Sequence, residues 1–418
     1  MLFRDREIMS WCFFDWANSA FPTNVVTFIF SAYFIQFIAE NSIIGTGQWG
    51  LMQSLAALFV AFFSPVFGSI ADHAGYKKRW LLFFTFVCIG SVLMLGDIHP
   101  DSSQAFQALI LVFFGILGFE FGMVFYNSFL SKIAPSGMIG MISGFGWGFG
   151  YFGGLASLYL IYTLFASPNA LQEGNPLDIA SVMPFVAFWF LLFSLPFFLF
   201  VKESVPKIRR RILPSFLGGI RNFLSFFSTL RKHNQIVLFL IARMLYADGL
   251  ITLFTFGGIF AATIFSLNIG EVILFGILIN ITAGIGSFAF SFLDETLGSK
   301  KVILISLGFL IALCTILFFS TSEKSFWFFG IPLGFFVGPI QASSRALLAK
   351  MAPKKMSTKF FGVFAFSGKA TSFLGPALVG WATVYFGNQR AGMIVIILFL
   401  VLGYLLLSRV GKLKVFNA

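Results

Sequence analysis

The chain has 418 residues, of which 58% are hydrophobic and 11% charged, with 62 Phe, a formal net charge of +12 and a mean hydropathy of +0.92. A soluble domain of this length does not carry that composition, whereas apolar runs of the roughly 17 to 25 residues that cross about 30 Å of hydrocarbon recur along it. The expectation is an all-α polytopic membrane protein.

In chain order the first apolar run is Trp11 to Ile38, and it contains FFDWANSAF with Asp15 inside it. The segment before it is both basic and acidic, and the run is too long for a signal peptide and lacks a small-residue cleavage site, so it is expected to stay as the first helix. A carboxylate at a bilayer centre costs about 2.5 to 3.5 kcal/mol, which calls for a compensating surrounding. Steps of four from Asp15 reach Ser19, Thr23, Thr27 and Ser31, a polar stripe on that helix. The next spans are predicted over Trp49 to Ala71, Trp80 to Leu95, Phe106 to Leu130, Ile139 to Phe165 and Val182 to Val201. A second set follows at Ile236 to Ile264, Val272 to Leu293, Val302 to Phe319, Phe326 to Leu348, Phe361 to Tyr385 and Ala391 to Leu407, making twelve transmembrane helices.

With the amino terminus taken as cytosolic, 23 of the 28 Lys and Arg fall on the termini and the even-numbered loops. Only Lys324 and Arg390 fall on the opposite loops, and Arg243, Arg345 and Lys369 lie within spans. This asymmetry predicts cytosolic termini by the positive-inside rule and accounts for the basic charge without nucleic acid. Cys12, Cys88 and Cys314 lie far apart in spans and show no ligand or disulfide spacing. No cofactor or metal is expected, and a monomer is.

Between the sixth and seventh spans, Lys202 to Gln235 carries eight basic residues against Glu203. Phe216, Ile220, Phe223 or Leu224, and Phe227 fall at helical spacing opposite Arg221, which predicts an amphipathic interfacial helix. The expected organisation is a six-helix bundle over 1–201, a cytosolic basic linker over 202–235 and a second six-helix bundle over 236–418. Internal echoes support the duplication. LSKIAP at Leu130 to Pro135 recurs as LAKMAP at Leu348 to Pro353, a shift of 218 residues that also pairs Gly144 with Gly362 and Gly150 with Gly368. GSIADHAGYKK at Gly68 to Lys78 is echoed at a shift of 223 by SFLDETLGSKK at Ser291 to Lys301. Six plus six spans is an architecture of major facilitator transporters.

The first of these loops, between the second and third spans, resembles the signature loop of the major facilitator superfamily. Gly68 allows close helix approach, Gly75 a tight turn, and Asp72 can pair with a base or meet a helix amino terminus. The resemblance implies that Asp72 and Arg79 belong to a cytosolic latch. The second copy has Ser291 for the glycine and Glu295 for the aspartate, so a matching latch there is not expected with the same force.

Three acids, Asp15, Glu120 and Asp248, and three bases, Arg243, Arg345 and Lys369, lie within predicted spans. Glu120 shares a helix face with Asn127, Asp248 with Thr252 and Thr255, Gln341 with Arg345, and Asn280 with Ser287. Such groups become tolerable when they face one another or a shared wet cavity, so a solvated path is expected. Asp15, Arg243 and Arg345 fall nearer the cytosolic ends and Glu120, Asp248 and Lys369 nearer the middle. Proton carriage is open to Glu120 or Asp248, as is a structural ion pair, and Lys369 could neutralise an acid or hold a substrate carboxylate. GFGWGFGYFGG places Gly146, Gly150 and Gly154 on one face with Gly144 and Gly148 beside it, which reads as tight packing or as a flexing helix.

FDWANSAF, GFEFGMVFYNSFL, LYADG, GPIQASSRALLAKMAP and FSGKATSFLGP together resemble the vacuolar amino-acid effluxer family of fungi and its bacterial relatives. That resemblance implies export of amino acids or similar small solutes, with Asp15, Asn18, Glu120, Asn127, Asp248, Gln341, Ser344, Arg345 and Lys369 at motif positions. It also implies a bacterial inner membrane, or a vacuolar membrane in a fungus. Ala247 departs from the asparagine usual there. An intramembrane enzyme would need converging groups within spans, yet His73, His99 and His233 fall in predicted loops. A receptor built on a transporter fold and an exporter of a lipophilic compound stay open beside alternating access with a small, zwitterionic solute and coupled protons.

Overall fold

The computed structural model describes residues 5–74, 76–135, 137–165, 178–203, 233–267 and 269–411, and every regular element among them is a helix. The elements are α1 (Arg6–Ile38), α2 (Ser42–Ala74), α3 (Lys77–Leu95), α4 (Ala105–Ile133), α5 (Ile139–Phe165) and α6 (Ile179–Phe200). After them come α7 (Asn234–Ile264), α8 (Ile269–Leu297), α9 (Ser299–Phe319) and α10 (Glu323–Met351). The last are α11 (Ser357–Lys369), α12 (Leu374–Phe386) and α13 (Gln389–Ser408). Eleven helices among the described residues are long and apolar enough to cross a membrane. The amphipathic helix expected in the linker, and Gly75, lie outside the described residues.

Several helices begin before their apolar run because a polar residue caps the free N–H groups of the first turn. Asp5 accepts from the N–H groups of Glu7 and Ile8, Ser322 from that of Ser325, and Asn388 from that of Arg390. His73, expected in a loop, lies in the last turn of α2.

Two expected spans are not regular. The eleventh, Phe361 to Tyr385, is divided into α11 and α12 by a turn over Ala370 to Phe373. Pro376 has no N–H for the Ser372 carbonyl and its ring crowds that carbonyl, so a continuous helix is unfavourable there. The chain turns instead: the Ser372 N–H reaches the Lys369 carbonyl, and the Leu374 N–H the Thr371 carbonyl at 2.7 Å. In α1 the regular helix ends at Asn18 and wider π turns cover Phe21–Phe28 and Phe34–Ile38. Pro22 stands at the start of the first of these. Carbonyls loosened by the wide turns take side-chain donors, Asn24 on Ala20 and Ser31 on Thr27, each at 2.9 Å. The expected four-step stripe is therefore lost. Asn24, bonded to Ser157 at 2.8 Å, carries the buried polar contact, and Thr27 is exposed.

By contact the chain forms two compact units, one of Met1–Val60, Tyr76–Tyr126 and Phe149–Lys207, the other of Ala61–Gly75, Asn127–Gly148 and Ile208–Ala418. In the first, α6 packs on α1 and α3, and aromatic rings join α1 to α6 and to α4. Trp11 stacks on Tyr126 with centroids 4.6 Å apart, Phe14 lies 4.8 Å from the same ring, and Trp16 stacks on Trp189 at 5.8 Å. Gly150, Gly153 and Gly154 of α5 set that helix against the backbone and hydroxyls of Trp16, Ser19 and Thr23. In the second unit α7 packs on α13 and α11, and α10 on α8 and α9. Gly144 and Gly148 fall here, against Ser287, Ser291 and Phe288. The glycine-rich stretch thus packs tightly in each unit, through Gly150, Gly153 and Gly154 in the first and Gly144 and Gly148 in the second.

Trp11 and Tyr126 also exchange hydrogen bonds, the indole N–H donating to the Tyr126 carbonyl at 3.2 Å and the phenol to the Trp11 carbonyl at 2.8 Å. Tyr126→Phe leaves the stack and removes one buried donor, so it is expected to cost about 1 kcal/mol. Unfolding in detergent, followed by tryptophan fluorescence, should show a lower midpoint with unchanged secondary structure.

Candidate functional site

The two signature loops do the same job in the second unit. The carboxylate of Asp72, at the end of α2, accepts from the backbone N–H groups of Thr358 at 3.3 Å and Lys359 at 2.8 Å, the first turn of α11. The carboxylate of Glu295, at the end of α8, accepts from the N–H groups of Gly140 at 2.5 Å and Met141 at 3.1 Å, the first turn of α5. Asp72 and Glu295 are related by the shift of 223, and the two N–H pairs by the shift of 218. Each anion meets two of the N–H groups that the start of a helix leaves unsatisfied and the positive end of its dipole. Glutamate thus has the reach to make the same helix-end contact as aspartate.

Close backbone approach makes this possible. A Cβ on Gly68 would fall on the Thr358 carbonyl, and one on Gly362 within 2.5 Å of the Ser64 carbonyl. A Cβ on Gly144 would stand 2.8 Å from the Ser287 carbonyl, and Ser287 is Ser64 shifted by 223. Arg79 does not share the carboxylate's position: it is exposed, its guanidinium 4.7 Å from the Tyr76 ring centroid. The lysines of the loops, which sequence reasoning passed over, instead cap helix ends. Lys78 donates to the Val201 carbonyl at 2.7 Å after α6, and Lys300 to that of Ser408 at 2.8 Å at the end of α13. Burial lowers the Lys359 ammonium below the usual lysine range, and Asp72 opposes that shift.

The second latch has an additional ion pair. Lys350, at the end of α10, donates to Asp294 at 2.8 Å and to the Ser299 hydroxyl at 3.0 Å, and Ser299 donates to Asp294 at 2.6 Å. Asp294 is 1% exposed. In the first repeat Ala71 takes the place of Asp294, so this network belongs to one repeat.

Arg345 of α10 is 2% exposed. Its guanidinium donates to the Ser143 hydroxyl at 2.9 Å, the Ser143 carbonyl at 2.8 Å and the Asn127 side-chain oxygen at 3.3 Å, and lies 5.6 Å from the Trp147 ring centroid. Asn127 is Arg345 shifted by 218, so equivalent positions of the two repeats meet. Ser344, next to it, bonds to the Tyr246 hydroxyl at 2.7 Å, and Gln341 is half-buried one turn earlier. Arg243 donates to the Phe364 carbonyl at 2.6 Å and the Ser367 hydroxyl at 2.7 Å, its guanidinium 3.5 Å from the Phe364 ring centroid. Lys369 ends α11, where a cation is favourable against the helix dipole. Asp248 of α7 is buried beside the α11–α12 turn. In the first unit Asp15 is buried at 5% exposure, Asn18 is buried and contacts the Met123 sulfur at 3.4 Å, and Glu120 is half-buried on α4. The structure thus joins Asn127 to Arg345 and Ser344 to Tyr246. Ser143 and Tyr246 had no sequence signal beyond a polar residue in an apolar span.

The chain is a secondary transporter of the major facilitator superfamily, an integral multi-pass membrane protein with eleven membrane-length helices among the described residues. The fold is similar to that of the superfamily transporter FucP in the outward conformation, with a TM-score of 0.74 at 16% identity over 97% of this chain and 98% of that one. A bacterial homologue of the iron transporter ferroportin gives 0.71 at 12% identity over 97% and 98%. Within that class the chain belongs to the vacuole effluxer Atg22-like family, which it matches over residues 49–139 and 136–414. The MFS-type transporter YxiO of Bacillus subtilis (strain 168) is 27% identical over 97% of this chain and 95% of that protein. Autophagy-related protein 22-1 of Phaeosphaeria nodorum is 26% identical over 87% of this chain and 75% of that protein.

The two latches differ in what their loss should cost. Asp294→Asn leaves Lys350 only Glu295, at 3.8 Å, as an anion and is expected to cost about 3 kcal/mol, whereas Asp72 meets two backbone N–H groups and Asp72→Asn should cost about 1 kcal/mol. Thermal unfolding of the purified variants should order them with Asp294→Asn least stable, and Lys350→Met added to Asp294→Asn should recover most of the loss.

Proposed function

We propose that the protein moves a small zwitterionic solute, an amino acid or a close analogue, by alternating access between two six-helix bundles, 1–201 and 236–418. The paired helix-end latches carry this reading. Each is a carboxylate on backbone N–H groups, strong enough to hold one state and weak enough to release it, at about 1 to 3 kcal/mol per charged hydrogen bond. The distribution of Lys and Arg supports a cytosolic position for them, with both termini cytosolic. Arg345, whose guanidinium is held by Ser143 and Asn127, and the acids Asp15 and Glu120 are the charged groups proposed to lie along the solute's pathway. Proton coupling would use Glu120 or Asp248, the two acids nearest the middle of their spans. The protein acts as a monomer in a bacterial plasma membrane, and efflux is the direction the family description supports.

Counterflow of labelled neutral amino acids into proteoliposomes, with and without a pH gradient, tests this. Accumulation of at least one of them is expected. Arg345→Lys keeps the charge but loses the fork to Ser143 and Asn127, and should slow counterflow by about tenfold. Saturable binding of an amino acid with no counterflow would replace transport by a receptor role.

A further inference from the structure

Both latch contacts lie within the second unit, and they differ in what surrounds them. At the α2–α11 contact a Cβ on Gly362 would meet the Ser64 carbonyl and one on Gly68 the Thr358 carbonyl, so both residues stand where the two helices are closest. Ser64 and Thr358 are each 0% exposed, and neither hydroxyl has a hydrogen-bond partner among the described residues. A hydroxyl taken out of water without a partner costs free energy that hydration would return. The Asp72 carboxylate therefore holds α11 against two hydroxyls that gain when the helices part.

The α5 contact has the opposite balance. Ser287, the counterpart of Ser64 at a shift of 223, donates to the Ala283 carbonyl at 2.9 Å, and Gly140 takes the place of Thr358 at a shift of 218. Further bonds accompany the Glu295 contact along α5: the Ser143 hydroxyl donates to the Ala342 carbonyl at 2.7 Å, and Arg345 donates to the hydroxyl and the carbonyl of Ser143. Phe361 is the counterpart of Ser143 and has no hydroxyl to repeat these bonds on α11. The helices that receive α5 are also fixed to each other. A Cβ on Gly286 would fall on the Phe335 carbonyl, one on Gly338 on the Ala283 carbonyl, and Lys350 of α10 is paired with Asp294 of α8. One oxygen of Asp294 is buried without a hydrogen bond among the described residues, yet its charge is already met by Lys350, a pair that movement of α5 does not break. By contrast α11 has only 13 residues and ends at the turn over Ala370 to Phe373, so it can swing without carrying α12.

We propose that the latched end of the protein opens unevenly: α11 releases from α2 first, while α5 stays on α8 and α10 as the pivot. The use of this device rests on the alternating-access reading.

The N–H groups of a helix's first turn have no partner within the helix, so their hydrogen exchange reports each latch directly. Exchange of the purified full-length protein in lipid nanodiscs, read at single residues by mass spectrometry, should show protection at Lys359 about tenfold lower than at Gly140 and Met141, a difference of about 1.4 kcal/mol. Ser64→Ala combined with Thr358→Val removes the two unpartnered hydroxyls and should raise protection at Lys359 about tenfold, with Gly140 and Met141 unchanged. Thermal unfolding establishes that the double variant is folded; should it not be, Ser64→Ala alone carries the test in the same direction. Protection at Lys359 equal to or above that at Gly140 and Met141, or left unchanged or lowered by removal of the hydroxyls, overturns the inference. Amino-acid counterflow run in parallel separates the two claims. Counterflow with even protection sinks the uneven opening and keeps the transport reading, while uneven protection without counterflow does the reverse.

Discussion

Backbone-to-backbone contact between helices is the constraint on which the second unit depends. At Gly362 and Gly144 the carbonyl of a serine in a neighbouring helix stands where a side chain would begin. Lipid offers no hydrophobic drive for helices to associate, so dispersion and hydrogen bonds hold them, and both grow only when the helices come this close. The carboxylates of Asp72 and Glu295 then reach the exposed N–H groups of α11 and α5. Remove the glycines and the anion would stand a side chain's width too far away.

The same geometry is executed with different chemistry in the two repeats. The first uses a glycine at 68 and a short aspartate, the second Ser291 and the longer Glu295. In the second, the position before the latch is Asp294 rather than Ala71, and it holds Lys350 and Ser299 in a buried network. Breaking a hydrogen bond to a helix end returns two groups that water can serve at an aqueous boundary. Breaking the Lys350–Asp294 pair leaves ions whose desolvation is no longer offset. The repeats are therefore alike in shape and unequal in the work needed to part them.

The spans were legible because about 20 apolar residues must fill the hydrocarbon, and Ile139 to Phe165 ends where the apolar run ends. Caps such as Asp5 and Ser322 add a turn outside that run, which hydropathy does not see. The duplication was legible through short echoes, and its two shifts reproduce the contacts of Asp72 and Glu295. What sequence could not give is which polar residues meet. Arg345 lies against Ser143, 202 residues away, and no local pattern on either helix encodes that contact. The weak likeness of the second loop to the first hides the shared contact, because that contact requires only an anion of sufficient reach.

Irregular backbone also distributes unevenly between the repeats. Shifted by 218, Pro376 of the broken segment corresponds to Leu158, which keeps its N–H, and α5 runs unbroken through the position where α11 stops. In α1, Pro22 loosens the helix too, but Asn24 and Ser31 return donors to the loosened carbonyls. Beside the α11–α12 turn lie the buried Thr252 hydroxyl and the carboxylate of Asp248, which can only accept when ionised. One irregularity is thus repaired from within its own helix. The other is served in part by its own turn, where the Ser372 hydroxyl and N–H both donate to the Lys369 carbonyl, and only the Ser372 carbonyl loses its helical donor, at Pro376.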